Sequence, residues 1–364
     1  MPNRFITHIG TATPPTRIVQ KDAAQWMSRA LELDRSKDRI LKTIYRATAI
    51  ESRFTVLPDY GQEAGFNFFP NTSGLAPFPG TAERMEIYRK EALPLCIAAI
   101  RNGIPEAELS GITHLVVVSC TGFYAPGVDI ELVEALRLPA STQRTMVSFM
   151  GCYAAFNGLK VADAFCQTNP NAKVLMVCVE LCTLHFQKTW TEDNLIANAL
   201  FADGAAAALV QNHPKGETNL ELTHFYCDLV AKGKTDMAWN IGNTGFEMQL
   251  SSYVPNLLES GLKNMLQGLN FSPKSGFRLA AHPGGRKILE AIERALDLDT
   301  SANQAAYSVL NAYGNMSSAT ILFVLKALLE SPEALQSNDP ILSMAFGPGL
   351  TLESALLRYH DRTP

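Results

Sequence analysis

The sequence predicts an α/β fold whose central strands are covered on both faces, and three observations carry that prediction. Residues 113–119 (Thr-His-Leu-Val-Val-Val-Ser) and 173–180 (Lys-Val-Leu-Met-Val-Cys-Val-Glu) are short, nearly continuous apolar runs rather than alternating ones. Such runs mark strands with no solvent-facing side. Helix-patterned segments separate them, and a similar order of elements recurs more loosely in the second half, without any sequence-level repeat.

Taken in order, residues 113–119 read as a buried strand and 128–136 as a helix. Cys152 opens the helix-like run 154–162, and 173–180 is the second buried strand. Residues 202–210, rich in alanine, read as a small-residue strand suited to close sheet packing. The polar stretch 213–218, with Pro214 and Gly216, is the expected hinge, giving an N-terminal half over 1–215 and a C-terminal half over 216–364. Beyond it, 277–281 reads as a short strand, 286–296 as a helix and 317–329 as a long apolar helix. Residues 341–346 and 350–359 read as a closing hairpin. Residues 60–85, containing Pro70, Pro77 and Pro79, read as a loop-rich insertion.

The chain of 364 residues is 47% hydrophobic and 18% charged, ample for a large core. Its formal net charge of −4, with no basic block, argues against a nucleic-acid partner. No apolar stretch approaches the roughly 20 residues needed to span a bilayer. Residues 1–7 read as neither a secretory signal nor a transit peptide. The seven cysteines are odd in number, form no CxxC pair and mostly sit in apolar runs. Free thiols in a reducing cytoplasm are therefore expected, with no structural zinc and no metal-ligand cluster.

Three short segments carry chemistry. Gly151-Cys152-Tyr153-Ala154 puts a thiol at the start of a helix, where backbone amides favour thiolate and are expected to lower its pKa from ~8.5 towards ~7. His282 follows a strand and opens His282-Pro283-Gly284-Gly285, in which the glycines allow a sharp turn or the close approach of a ligand. Tyr313-Gly314-Asn315-Met316-Ser317-Ser318 sets an amide at the mouth of an apolar helix, where Asn315 is either an N-cap or a functional donor. A thiol, an imidazole and an amide at three strand–helix junctions suit acyl transfer through a thioester. Cysteine takes the acyl group, histidine holds the thiolate, and the histidine and asparagine N–H groups bond a developing enolate.

These segments, with Phe346-Gly347-Pro348-Gly349-Leu350-Thr351, Leu200-Phe201-Ala202-Asp203-Gly204 and Ala125-Pro126-Gly127, resemble the signature blocks of type III polyketide synthases. That family is the chalcone-synthase-like group of the thiolase superfamily, and the resemblance runs in order from about residue 5 to residue 358. It implies a duplicated βαβαβ fold, five layers deep, working as a homodimer. It further implies that Cys152 carries the starter and growing chain. His282 and Asn315 would promote decarboxylation of malonyl-CoA, and Phe201 would gate between a CoA tunnel and an elongation cavity. The substrates would be acyl-CoA and malonyl-CoA, with no bound cofactor.

Several positions depart from the plant members. Ala125 stands where many carry a methionine reaching the partner's cavity. Cys120, Cys182 and His185 replace cavity threonines, and each either lines the cavity or packs in the core. These changes argue against a chalcone product and look more like bacterial members using fatty acyl starters to make alkylpyrones or alkylresorcinols. Met248 and Phe246 fall near a cavity-shaping position, and Ser317 either lines the cavity or caps the next helix. For CoA phosphates the candidates are Arg46, Arg53, Arg286 and Lys287, with Gly284 and Gly285 for close backbone approach. The alternatives are a ketoacyl synthase III-like enzyme making one condensation, a papain-like cysteine hydrolase and a non-catalytic thiolase-fold subunit. The hydrolase has the wrong flanks around Cys152, and the non-catalytic subunit would be expected to lack one of the three residues.

Overall fold

Alternate residues of the central strands face two different cores, and this explains the apolar runs. Val116, Val118, Val174, Met176, Ala206 and Ala208 face one core, whereas Leu115, Val117, Leu175, Val177, Ala205 and Ala207 face the other. Period-two geometry sends neighbours to opposite faces, so a strand sandwiched between two cores must be apolar throughout. In this computed structural model residues 3–361 are described, apart from 215–218, 231–232, 234–235, 252–253, 274–275 and 332–334.

Thirteen strands are present among the described residues: β1 (Phe5–Ala12), β2 (Thr16–Val19), β3 (Ser52–Thr55), β4 (His114–Ser119), β5 (Gln143–Ser148), β6 (Lys173–Leu181), β7 (Asp203–Gln211), β8 (Leu220–Leu229), β9 (Met237–Gly242), β10 (Gly245–Leu250), β11 (Arg278–Ala281), β12 (Pro340–Gly347) and β13 (Thr351–Tyr359). Nine of them form one sheet in the order β11-β12-β13-β8-β1-β7-β6-β4-β5. The run β4-β6-β7-β1 has one parallel and then two antiparallel pairings, and the run β11-β12-β13-β8 repeats that pattern. The two runs meet where β1 pairs with β8. The recurring order of elements is thus a recurrence of topology. The boundary at 215/216 and most of the expected hinge 213–218 fall on residues 215–218, outside the described residues.

Helices Ala154–Thr168 and Thr320–Leu329 bury their apolar faces in the first core, and helix Thr81–Arg101 buries its own in the second. β7 is alanine-rich because it lies between β1 and β6 with helices close on both sides. The 286–296 helix is found as Arg286–Leu296, and the closing hairpin as β12–β13.

Other elements differ from expectation. Helix Thr81–Arg101 begins inside the stretch read as a loop and tolerates Pro94. The rest of that insertion is ordered by Asp59, whose carboxylate accepts the N–H groups of Asn67, Phe68 and Phe69 at 3.0, 2.9 and 2.8 Å. An aromatic cluster of Trp26, Tyr60, Phe69, Phe78 and Phe186 packs beneath it. The strands β1, β5 and β8 and the hairpin β9–β10 carry mixed patterns that gave no strand signal; pairing across the sheet forms them.

Candidate active site

Cys152 is delivered by a turn that only this local sequence permits. After β5 the chain passes through Phe149 (φ 60°) and Gly151 (φ 95°). A side chain at Gly151 would meet Pro348 Cδ at 2.3 Å, so glycine is required both for the conformation and for the contact with the Pro348 loop. The thiol then stands just ahead of helix Ala154–Thr168.

His282 leaves the end of β11, its N–H donating to Met344 O of β12 at 2.8 Å. The ring is 1% exposed, and neither Nδ1 nor Nε2 has a hydrogen-bond partner in the protein. Burying both polar atoms without partners costs about 1–3 kcal/mol each, and a group held that way is a candidate for function.

Asn315 sits between helix Gln304–Tyr313 and the turn Ser317–Ala319. Its backbone bridges to the segment before β7: Asn315 N–H donates to Leu200 O at 2.9 Å and Ala202 N–H to Asn315 O at 2.8 Å. The side-chain Oδ1 accepts from Ser317 N–H at 2.9 Å. That bond combines the two sequence readings, since the oxygen caps the turn and leaves Nδ2 turned to the site. Nδ2 lies 4.0 Å from Cys152 Sγ and 3.5 Å from Gly284 O.

The three groups share the wall of one cavity of about 300 Å³. Burial, reinforced by the Glu180 carboxylate, pushes the Cys152 thiol up to about 12, outweighing the lowering effect of the Ser317 and Asn315 side chains. Burial likewise pushes the His282 imidazole down to about 3. The expectation that the helix start alone makes a thiolate is therefore corrected. Each ion is disfavoured by itself in this buried setting, so the neutral thiol and the neutral imidazole are the favoured forms.

Phe201, Cys120, Cys182, Met248, Ser317, Gly284, Gly285, Arg286 and Lys287 all border this cavity. Ser317 borders the cavity and does not cap the next helix, and Thr320 Oγ1 takes up Met316 N–H instead. Cys120 Sγ accepts Gly151 N–H at 3.0 Å, supporting the turn beside Cys152.

Three assignments are corrected. His185 lies off the main cavity, on a side cavity of about 30 Å³. Its Nε2 bonds Thr121 O at 2.7 Å, its Nδ1 accepts Phe246 N–H at 2.9 Å, and its ring stacks on Phe246 at 4.1 Å. Arg53 is buried, and Nη1 donates to Asn198 O and Phe201 O at 2.9 and 2.5 Å. It therefore holds the backbone of Phe201 and is not at a tunnel mouth. Arg46 is exposed, but folds back on its own helix to Lys42 O and Thr43 Oγ1 at 3.2 and 3.3 Å. Its neighbours Ile44 and Ala47, not Arg46, border the cavity.

Two residues went unnoticed in the sequence. Trp239 of β9 borders both cavities and donates Nε1–H to Cys120 O at 2.8 Å; nothing in its flanks marks it. Glu180 did leave a signal, a carboxylate in an otherwise apolar strand. It accepts from Cys120 N–H at 3.0 Å, Thr121 Oγ1 at 2.8 Å and Ser318 Oγ, tying three wall segments together. Burial pushes its carboxyl up from 4.5 to about 7 against those bonds. A raised acid contributes stability that is full below about pH 4.5 and is lost as pH rises through about 7. The melting temperature of the wild type relative to Glu180→Gln is therefore expected to fall across that window. Paired thermal melts from about pH 5 to pH 8 check this, and a constant difference would count against it.

Family models describe the chain along nearly its whole length. The N-terminal domain of chalcone and stilbene synthases matches residues 3–214, and the C-terminal domain matches residues 221–360. The chain belongs to this family. It is a type III polyketide synthase, a condensing enzyme of the acyltransferase kind with a thiolase-like fold. Among its relatives is "Alpha-pyrone synthesis polyketide synthase-like Pks18" of Mycobacterium tuberculosis, 30% identical over 96% of this chain and 90% of that protein. The chain spans only 11% of the Dictyostelium discoideum relative "Probable polyketide synthase 1", at 27% identity. The C-terminal type III polyketide synthase domain of Steely1, from Dictyostelium, superposes with a TM-score of 0.89 at 26% identity, covering 99% of this chain and 100% of that one. PKS-I of the brown alga Ectocarpus siliculosus gives 0.88 at 29% identity, with 99% of each chain covered. The synthase family acts on CoA thioesters without a bound cofactor. Among the described residues no helix is long and apolar enough to cross a membrane.

Proposed function

We propose that this synthase extends a fatty acyl starter with malonyl-CoA on Cys152 and cyclises the product to an alkylpyrone or alkylresorcinol. The observation that carries the reading is one cavity holding the Cys152 thiol, the unpartnered His282 imidazole and the Asn315 amide beside a largely apolar wall. Ile196, Leu200, Met237, Met248 and Leu250 supply that wall, which suits an alkyl chain better than a polar starter. The similarity to a relative named for α-pyrone synthesis supports the same product class.

The steps follow from these groups. Cys152 passes its proton to His282, and the thiolate attacks the acyl-CoA carbonyl, releasing the CoA thiol. Malonyl-CoA then loses CO2. The enolate left behind is bonded by the His282 and Asn315 N–H groups while apolar walls keep water out. Its carbon attacks the Cys152 thioester, a C–C bond forms, and the sulfur leaves. Arg286 and Lys287 border the cavity on the helix after the glycines, the placement that CoA phosphates would use. Phe201 borders both cavities and serves as the gate.

The exposed edge strand β5, with Met146 on its surface, is a suitable face for the homodimer; light scattering giving a monomer would count against that part. The central test is incubation with malonyl-CoA and a ladder of acyl-CoA starters, with products identified by mass. Alkylpyrone or alkylresorcinol masses support the reading. A single β-ketoacyl product would point instead to a ketoacyl synthase III-like reaction. Trp239→Ala is expected to join the two cavities and move the preferred starter to longer chains, which competition between starters measures by product ratio. An unchanged ratio would remove Trp239 as a limit on chain length.

A further inference from the structure

The helix Arg35–Ala47 concentrates charge that the reaction as proposed leaves unused. It carries five basic residues, Arg35, Lys37, Arg39, Lys42 and Arg46, against the single acid Asp38, in a chain of net charge −4. Asp38 is committed to Lys42 at 2.8 Å and Ser28 at 2.7 Å. Arg35 and Arg39 form no ion pair among the described residues. The helix buries Leu41 and Tyr45, while Ile40 is 50% exposed. Ile40, Ile44 and Ala47, at spacings of four and seven, make one stripe. Ile44 and Ala47 border the active-site cavity, so this stripe runs from open surface to its mouth. From Ile40 to Ala47 is about 10 Å at 1.5 Å per residue. Helical geometry places Arg35, Arg39 and Arg46 along one flank of the stripe and Lys37 on the other. Arg286 and Lys287 border the same cavity, as does the acid Glu192, and Arg286 is paired with Glu290 at 2.8 Å.

We infer that this basic, apolar-striped face docks an acidic carrier domain, which delivers the starter as an acyl thioester on its pantetheine arm. The inference rests on the thioester chemistry proposed above. An acidic helix with an apolar ridge matches the face in both charge and shape, and docking there points the arm into the mouth. The transfer is a thioester exchange. Cys152 Sγ bonds to the acyl carbon, the carbon–sulfur bond to the arm breaks, and the arm leaves as a thiol carrying the proton that Cys152 gave up.

The test compares three decanoyl donors by the rate of Cys152 acylation, read by intact mass: the thioester of the acidic acyl carrier protein of fatty-acid synthesis, the CoA thioester, and the uncharged pantetheine thioester. The wild type is expected to accept the carrier-bound group at a rate falling about tenfold between roughly 50 and 500 mM salt. Arg39→Glu combined with Ile40→Asp is expected to slow transfer from the carrier about tenfold while leaving the pantetheine rate unchanged. Equal carrier rates in variant and wild type would overturn the inference, as would a wild type that accepts CoA and pantetheine thioesters but not the carrier. Loss of binding to phosphatidylglycerol vesicles in the variant, with carrier transfer intact, would reassign the face to a membrane surface and overturn it too. Acylation from none of the three donors would instead overturn the proposed function, and the inference with it.

Discussion

Cys152→Ala is expected to abolish acyl-enzyme formation, to below about one part in 10³ of the wild-type rate, while the fold persists. The thiol faces a cavity, so its loss leaves the packed cores untouched, and its contacts with Asn315 are long, at 3.9 and 4.0 Å. The melting temperature should therefore move little. Intact-mass measurement after incubation with an acyl-CoA reads the result directly. An acyl adduct surviving on the alanine variant would remove Cys152 as the nucleophile, most simply in favour of Cys120 or Cys182, which border the same cavity. Release of CO2 from malonyl-CoA is expected to persist in this variant, because the groups that bond the enolate remain.

His282→Gln should show the complementary loss. Decarboxylation of malonyl-CoA is expected to fall by about 10²- to 10³-fold, the usual consequence of removing a donor aimed at developing negative charge. The pH profile of Cys152 alkylation supplies a second readout. Burial, with the Glu180 carboxylate, drives the thiol pKa up. An imidazolium at His282 would stabilise the thiolate and a glutamine cannot carry that charge, so the alkylation midpoint is expected to move to higher pH in the variant. An unchanged midpoint with unchanged decarboxylation would show that His282 does not act on the thiol or the enolate. A fall in decarboxylation alone would restrict its part to the enolate.

The chemical residues were legible because each is held by its immediate neighbours. Gly151 allows the turn that presents Cys152, and Gly284 and Gly285 follow His282. Gly314 (φ 71°) precedes Asn315, where any side chain would meet Arg53 and Leu200 O. Backbone requirements of that kind are written in a few consecutive letters. The buried central strands β4 and β6 were legible for a similar local reason, since an apolar run needs no partner to be recognised. β1 and β8 were not, although they join the two halves of the sheet.

The sequence by itself determined the strand–helix alternation, the three candidate groups that meet at one cavity, and the family. These depend on short-range pattern and backbone conformation. Tertiary structure alone decided what the walls do. Arg53 and His185 read as ligand and cavity candidates, yet folding turns both inward, where they bond carbonyls of distant segments. Trp239 and Glu180 became part of the site only when β9 and β6 were set beside the Cys120 segment. The protonation of Cys152 was likewise out of reach of sequence, because desolvation sums over every residue that closes the cavity, and most of those lie far away along the chain.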